Sequence, residues 1–352
     1  MALPIDMESV FIRADRERAS DIIFSAGMPP VLLIAGRLCH LGKKSLTAEE
    51  IREIAASLLE REQVARFERE RELDFSVAYG NHLRFRGNAF WQRGAVGLAL
   101  RLVPREIPKL SDLGLPPVIR ELSEAPQGLV LVTGPTGHGK STTQAAMIDH
   151  INRTRACHIV TVEDPIEFLH ENQKSVIEQR EVGSDTLSFD AALRHALRQA
   201  PHVILVGEIR DLETISIGMT AAETGHLVLA TLHTNDAPQA VHRIIDVFPP
   251  HQQNQVRAQL SSVLLAVVAQ RLLVGVDRSR RVMACEILRN TPAVANLIRE
   301  DKVAQIPSIM ETQSRMGMVS LDAAIKELYL AGKVDEEQAR KYMKYPQHLF
   351  GH

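Results

Sequence analysis

Leu129-Val-Leu-Val-Thr133 runs straight into Gly134-Pro135-Thr136-Gly137-His138-Gly139-Lys140-Ser141-Thr142, an apolar segment followed by a glycine-rich turn. Residues 134–141 satisfy the pattern G-x-x-x-x-G-K-[ST]. The apolar segment predicts a buried strand, and Lys140 to Asn152 predicts a helix that begins where the turn ends. In that setting glycines let the backbone curl so that its N–H groups converge on phosphate oxygens, and the helix N-terminus adds positive potential. Lys140 then reaches the β and γ phosphates, and Ser141 offers its hydroxyl to Mg²⁺. A strand-turn-helix of ordinary small residues is the plain alternative. The complete pattern in its strand-to-helix setting argues against it, so the sequence implies a nucleoside triphosphate site.

Downstream the pattern repeats. Ile159 to Val162, Val203 to Val206 and Leu227 to Leu232 are short apolar runs, each followed by helical periodicity, which predicts an α/β unit with a parallel sheet and crossover helices. Ligands in such sheets gather at the carboxyl ends of the strands, and the polar residues fall there. Glu163, in Glu163-Asp164-Pro165-Ile166-Glu167, is placed to orient or deprotonate the water that attacks the γ-phosphorus; the alternative is an acidic loop start capped by proline. Val203-Ile-Leu-Val-Gly207-Glu208 has the form of a Walker B strand, with Gly207 where many NTPases have Asp. That leaves Glu208 to hold Mg²⁺ through water, while Asp211 also reads as the N-cap of the next helix. His226 and His233 flank the fourth run. Their spacing along a strand disfavours a shared zinc, so sensing of the γ-phosphate is the functional reading and a satisfied histidine the plain one.

Ahead of this unit, Thr47-Ala-Glu-Glu50 is a capping box that predicts a helix to about Arg66, and Leu73 to Val103 predicts two strands around Trp91-Gln-Arg-Gly94. Residues 1–103 thus read as a smaller α+β domain, 104–117 as a linker and 118–352 as the nucleotide domain. An isolated phosphate loop with one lysine leaves transition-state charge uncompensated; Arg86 and Arg101, on the strands of the first domain, are candidates to supply it as arginine fingers. The tail from Lys341 to Phe350 reads as a helix end that packs back on its own domain. With 41 Lys and Arg against 43 Asp and Glu, a net charge of −2, no global electrostatic case exists for nucleic-acid binding. Cys39, Cys157 and Cys285 form no C-x-x-C pair, which suits a reduced, cytoplasmic chain. The longest apolar stretch, Val263 to Ala269, stops well short of the ~18 residues a membrane span needs.

Four elements, GPTGHGKSTT, VTVEDPIEF, VILVGEIRD and GHLVLATLHTN, occur in one order. Together they resemble the secretion ATPase superfamily, which powers type II secretion and type IV pili. Ser20 to Pro30 is similar to the start of that family's PAS-like N-terminal domain, and Asn296-Leu-Ile-Arg-Glu300 to the C-terminal part of its pilus retraction branch. Arg271 to Arg281 carries no cysteine cluster, unlike the zinc loop of the extension and secretion branches. The resemblance implies a RecA-like P-loop domain behind a PAS-like one, ATP as substrate, Mg²⁺ as cofactor, and a homohexamer at the cytoplasmic face of the inner membrane. It implies as partners a platform protein of the pilus and a paralogous retraction ATPase. It also implies Glu163 as catalytic acid, Glu208 as Walker B acid, His226 and His233 as a His-box pair, and Arg86 and Arg101 as arginines offered across a subunit interface. The chain departs from the family pattern at His138, Ile23, Ala200, His202 and Ala295. A nucleic-acid translocase and a small-molecule kinase share the loop, but the first wants a basic, aromatic strand face and the second an acceptor pocket.

Overall fold

The computed structural model describes residues 4–80, 83–104, 106–278 and 280–351. It divides into two compact units, Met1–Arg105 and Glu106–His352. In the first, helix α1 (Met7–Arg16) precedes strands β1 (Asp21–Phe24), β2 (Val31–Ile34) and β3 (Arg37–His40). Helices α2 (Ala48–Leu58) and α3 (Arg61–Glu70) follow, then strands β4 (Glu72–Tyr79), β5 (Leu83–Gln92) and β6 (Ala95–Leu102). The sheet runs β3-β2-β1-β6-β5-β4, antiparallel throughout, over a core that includes Phe11, Phe24, Ile51, Phe85 and Leu98.

Two local expectations change here. The capping box forms, with Thr47 accepting from Glu50 N, but the helix it opens does not reach Arg66. Leu59 is extended, and a second helix starts behind Glu60, whose N–H donates to the Gln63 side chain at 2.9 Å. Leu73 to Val103 forms three strands rather than two, because the chain turns back through Gly80, at φ +59°, as well as at Arg93-Gly94.

The second unit opens with a 3-10 turn at Leu110–Leu113 and helix α4 (Val118–Ser123). Then come β7 (Gly128–Thr133), α5 (Lys140–Thr154), β8 (His158–Glu163), β9 (Val176–Glu181), α6 (Phe189–Ala196), β10 (Val203–Val206), α7 (Leu212–Glu223) and β11 (Leu227–Leu232). Helices α8 (Ala237–Asp246) and α9 (Pro250–Val263) lead to a hairpin of β12 (Leu264–Val274) and β13 (Arg281–Arg289). Five helices close the unit: α10 (Pro292–Arg299), α11 (Ile306–Thr312), α12 (Leu321–Leu330), α13 (Glu336–Tyr342) and α14 (Gln347–Phe350). The sheet order is β13-β12-β7-β11-β10-β8-β9, parallel except for the β12–β13 pair.

β7 is buried along its whole length between β11 and β12, so the phosphate loop leaves the middle of the sheet. The carboxyl ends of β8, β10 and β11 emerge on the same rim, which brings their loops to that loop. Most of the stretch expected as a linker belongs to this unit: Leu110 and Leu115 pack on a core of Val118, Ile148 and Ile151. The tail packs back as expected, with Leu349 and Phe350 against Leu273, Ile325 and Val334. Among the described residues, no helix is long and apolar enough to cross a membrane.

Candidate active site

Gly139 is the N-cap of α5 and adopts φ +84°, one of three positive-φ glycines in the loop with Gly134 at +142° and Gly137 at +78°. A Cβ at Gly134 would lie 2.6 Å from the Gln270 carbonyl oxygen, so glycine is required there by space as well as by conformation. Lys140 is 8% exposed, and its ammonium donates to the carbonyls of Gly134 at 2.9 Å and Pro135 at 3.1 Å. Burial lowers its pKa, with the Glu208 charge acting the other way. The loop therefore holds a cation on its inner side and converging helix N–H groups at its end, the cradle a polyphosphate needs.

The Lys140 ammonium also lies 3.4 Å from Nδ1 of His233, whose Nε2 lies 3.1 Å from Oε1 of Glu208. An ammonium only donates and a carboxylate only accepts, so His233 is the tautomer with its proton on Nε2. One imidazole thus links the phosphate loop to the end of β10. The other Glu208 oxygen takes a hydrogen bond from Arg210 at 2.8 Å, and Arg210 reaches Asp164 at 3.6 Å. Burial raises the Glu208 pKa, but the Arg210 hydrogen bond and charge, with His233, outweigh it and leave the carboxylate more acidic than usual. Asp211 caps α7 by accepting from Thr214 N. Gly207 stands where Asp is common because the strands close up there: a Cβ would lie 3.1 Å from Cα of Glu163.

Glu163 ends β8. Its Oε1 accepts from the Thr161 hydroxyl at 2.7 Å and from the Gln179 amide at 3.1 Å, and burial drives its pKa upward against both bonds. A carboxylate aimed by two donors and made more basic by burial suits a general base.

A family model described as "Type II/IV secretion system protein" matches residues 63–344. The chain belongs to that family. It is 44% identical over 345 residues to the type IV pilus retractation ATPase PilT of Pseudomonas aeruginosa, covering 98% of this chain and 100% of that one. It is 42% identical to the type IV pilus ATPase PilU of the same organism, over 91% of this chain and 84% of PilU. Among solved structures, the pilus retraction motor PilT with bound ADP superposes with a TM-score of 0.90 at 43% identity, covering 98% of this chain and 99% of that one.

Of the residues the sequence singles out in this member of the family, Lys140, His233 and Glu208 are joined by contacts, and Glu163 sits on the neighbouring strand end. His226 is not with them. It lies at the amino end of β11, its Nδ1 2.9 Å from the Ala221 carbonyl, whereas His233 follows the carboxyl end. Arg86 and Arg101 belong to the first unit, where they face each other across β5 and β6. Arg101 also pairs with Asp21 on β1 at 2.9 Å. Two cations opposite each other on a sheet oppose stability, which the Asp21 contact partly offsets.

Sequence reasoning missed Thr161 and Gln179, which aim Glu163, and the β12–β13 hairpin that braces the loop. Leu272 N donates to Nδ1 of His138 at 2.9 Å, and Arg281 donates to the Gly137 carbonyl at 3.1 Å. His138, a departure from the family pattern, is therefore an anchor for the loop. The signal was faint: Gln270 and Arg271 interrupt an otherwise apolar strand, and the Gln270 amide meets the hydroxyl of Thr143 on α5 at 2.7 Å.

Proposed function

We propose that this chain is an ATP-hydrolysing motor subunit for type IV pilus retraction. It works as a homohexamer at the cytoplasmic face of the inner membrane, on a platform protein of the pilus and alongside a paralogous retraction ATPase. The observation that carries the reading is the path from Lys140 through His233 to Glu208, beside the half-buried Glu163, in a chain 44% identical to PilT along its length.

Lys140, pinned by two carbonyls, offsets charge on the β and γ phosphates. Glu163 takes the proton of the attacking water, with Thr161 and Gln179 fixing the direction of its carboxylate. Loss of the γ-phosphate changes what surrounds Lys140, and His233 passes that change to Glu208. The Ser141 hydroxyl and the acidic Glu208 carboxylate are hard oxygen donors of the kind Mg²⁺ prefers, and they would hold it, Glu208 through water. When bound, that ion supplies charge neutralisation on the phosphates. Arg86 and Arg101 provide the remaining positive charge from a neighbouring subunit.

The test is complementation. Expression in P. aeruginosa lacking PilT should restore twitching and clear surplus surface pili under the microscope. Rescue of a strain lacking PilU, but not of one lacking PilT, would assign the accessory role instead. Surplus pili that persist in both, with intact Mg²⁺-dependent ATP turnover in vitro, would mean that the motor serves another machine.

A further inference from the structure

Glu286 is a lone acid in the apolar strand β13, 8% exposed and unused by the chemistry above. Its Oε1 accepts from Ala237 N, the first residue of α8, at 2.7 Å, and its Oε2 from Leu321 N, the first residue of α12, at 3.3 Å. Neither helix needs it to start. Asp236 already caps α8 by accepting from Gln239 N, and Ser320 caps α12 by accepting from Ala323 N. What the carboxylate adds is a tie between each helix start and the hairpin, and the partial positive charge of both N-termini compensates its burial.

The tie to α8 has a functional address. Only Thr234, Asn235 and Asp236 separate His233 from Ala237. Within that short loop Arg271 of β12 donates to the Asn235 carbonyl at 3.2 Å and to its side-chain oxygen at 2.9 Å. The same hairpin packs the Gln270 carbonyl against Gly134, bonds Leu272 N to His138 and reaches Gly137 through Arg281. One hairpin therefore holds both the loop that carries Lys140 and the loop that carries His233. Building on the ATPase reading, we propose that Glu286 is a positioning residue for turnover: with Arg271, it fixes the His233 loop in register with the phosphate loop.

The test is Glu286→Gln, which keeps one acceptor for Ala237 N but sets an NH₂ group against the other N–H. Four quantities are read on the full chain: thermal melting, affinity for a fluorescent ADP analogue, kcat for ATP, and amide exchange in residues 134–141 and 233–241. The expected result is melting within a few degrees of wild type and affinity within about twofold, with kcat down about tenfold. Exchange should speed up in 233–241 and stay unchanged in 134–141. Wild-type kcat with wild-type exchange overturns the proposal. So does a fall in kcat matched by equal losses of ADP affinity and phosphate-loop protection, the mark of a merely structural role. If Glu286→Gln does not fold, Arg271→Ala releases the same loop at its other anchor and must show faster exchange in 233–241, or the proposal fails. A wild-type protein without ATP turnover sinks the ATPase reading separately, and the exchange comparison then decides the positioning.

Discussion

A carboxylate that accepts a proton near neutral pH has to be less acidic than a free glutamate, and burial does this to Glu163. Glu163→Gln keeps the shape and the bond from Thr161 but cannot take the proton. ADP affinity should persist while phosphate release slows by on the order of 10² or more; wild-type release in that variant would move the base to Glu208. The sign of the pH dependence follows from the same fact. The ionised form is the base, so kcat should fall as pH drops through a pKa above the ~4.3 of free glutamate. Glu208 is shifted the other way and should stay ionised across that range. Gly207 is a third case at this scale. Gly207→Asp restores the residue common in other NTPases, yet its Cβ would sit 3.1 Å from Cα of Glu163 and 3.2 Å from the Val162 carbonyl oxygen, both backbone atoms that cannot rotate away. The substitution should destabilise the protein by about 1–3 kcal/mol in chemical denaturation and slow turnover by displacing the base.

At the scale of elements, the legible parts were those with a strong local signal. Val203–Val206 and Leu227–Leu232 are fully buried strands that the apolar runs located to the residue, and Lys140 starts α5 as the glycine before it requires. What the sequence hid is what pairing and packing decide. β9 (Val176–Glu181) is an edge strand with alternating exposure and a polar composition, so only its parallel pairing to β8 reveals it. The break at Leu59-Glu60 falls inside a helical pattern and becomes visible only in the hydrogen bond of Gln63. The hidden strand matters, because it supplies Gln179. That side chain donates to Glu163 and to the Phe168 carbonyl at 2.9 Å and accepts from His170 N at 2.8 Å, clasping the loop after β8. Its bond to Glu163 lowers that residue's pKa against burial. Gln179→Ala removes the restraint, so the acid limb of kcat should move to higher pH and the rate at neutral pH should fall. An acid limb that stays put would show that Gln179 does not touch the ionised base in solution.

For the whole molecule, the open question is where the missing positive charge comes from. In the second unit Lys140 is the cation on the inner side of the loop, while Arg210 is engaged with Glu208 and Asp164. Arg86 and Arg101, paired across β5 and β6, belong to the other unit. If a neighbouring subunit of a hexamer delivers them, each is worth roughly 4–7 kcal/mol of barrier, the 10³ to 10⁵ in rate typical of an arginine finger. Arg86→Ala or Arg101→Ala should therefore cut turnover while the protein stays folded. Because neither substitution removes Glu163, mixing can show whether sites are shared. In a ring assembled from Arg86→Ala and Glu163→Gln subunits, some interfaces set an intact Arg86 from one subunit beside an intact Glu163 from the next. Random assortment makes roughly one interface in four of this kind, so activity should rise well above the sum of the two parents once subunits exchange. Activity that stays at that sum after exchange, or a fully active monomer by sedimentation, would place all the catalytic charge within one chain.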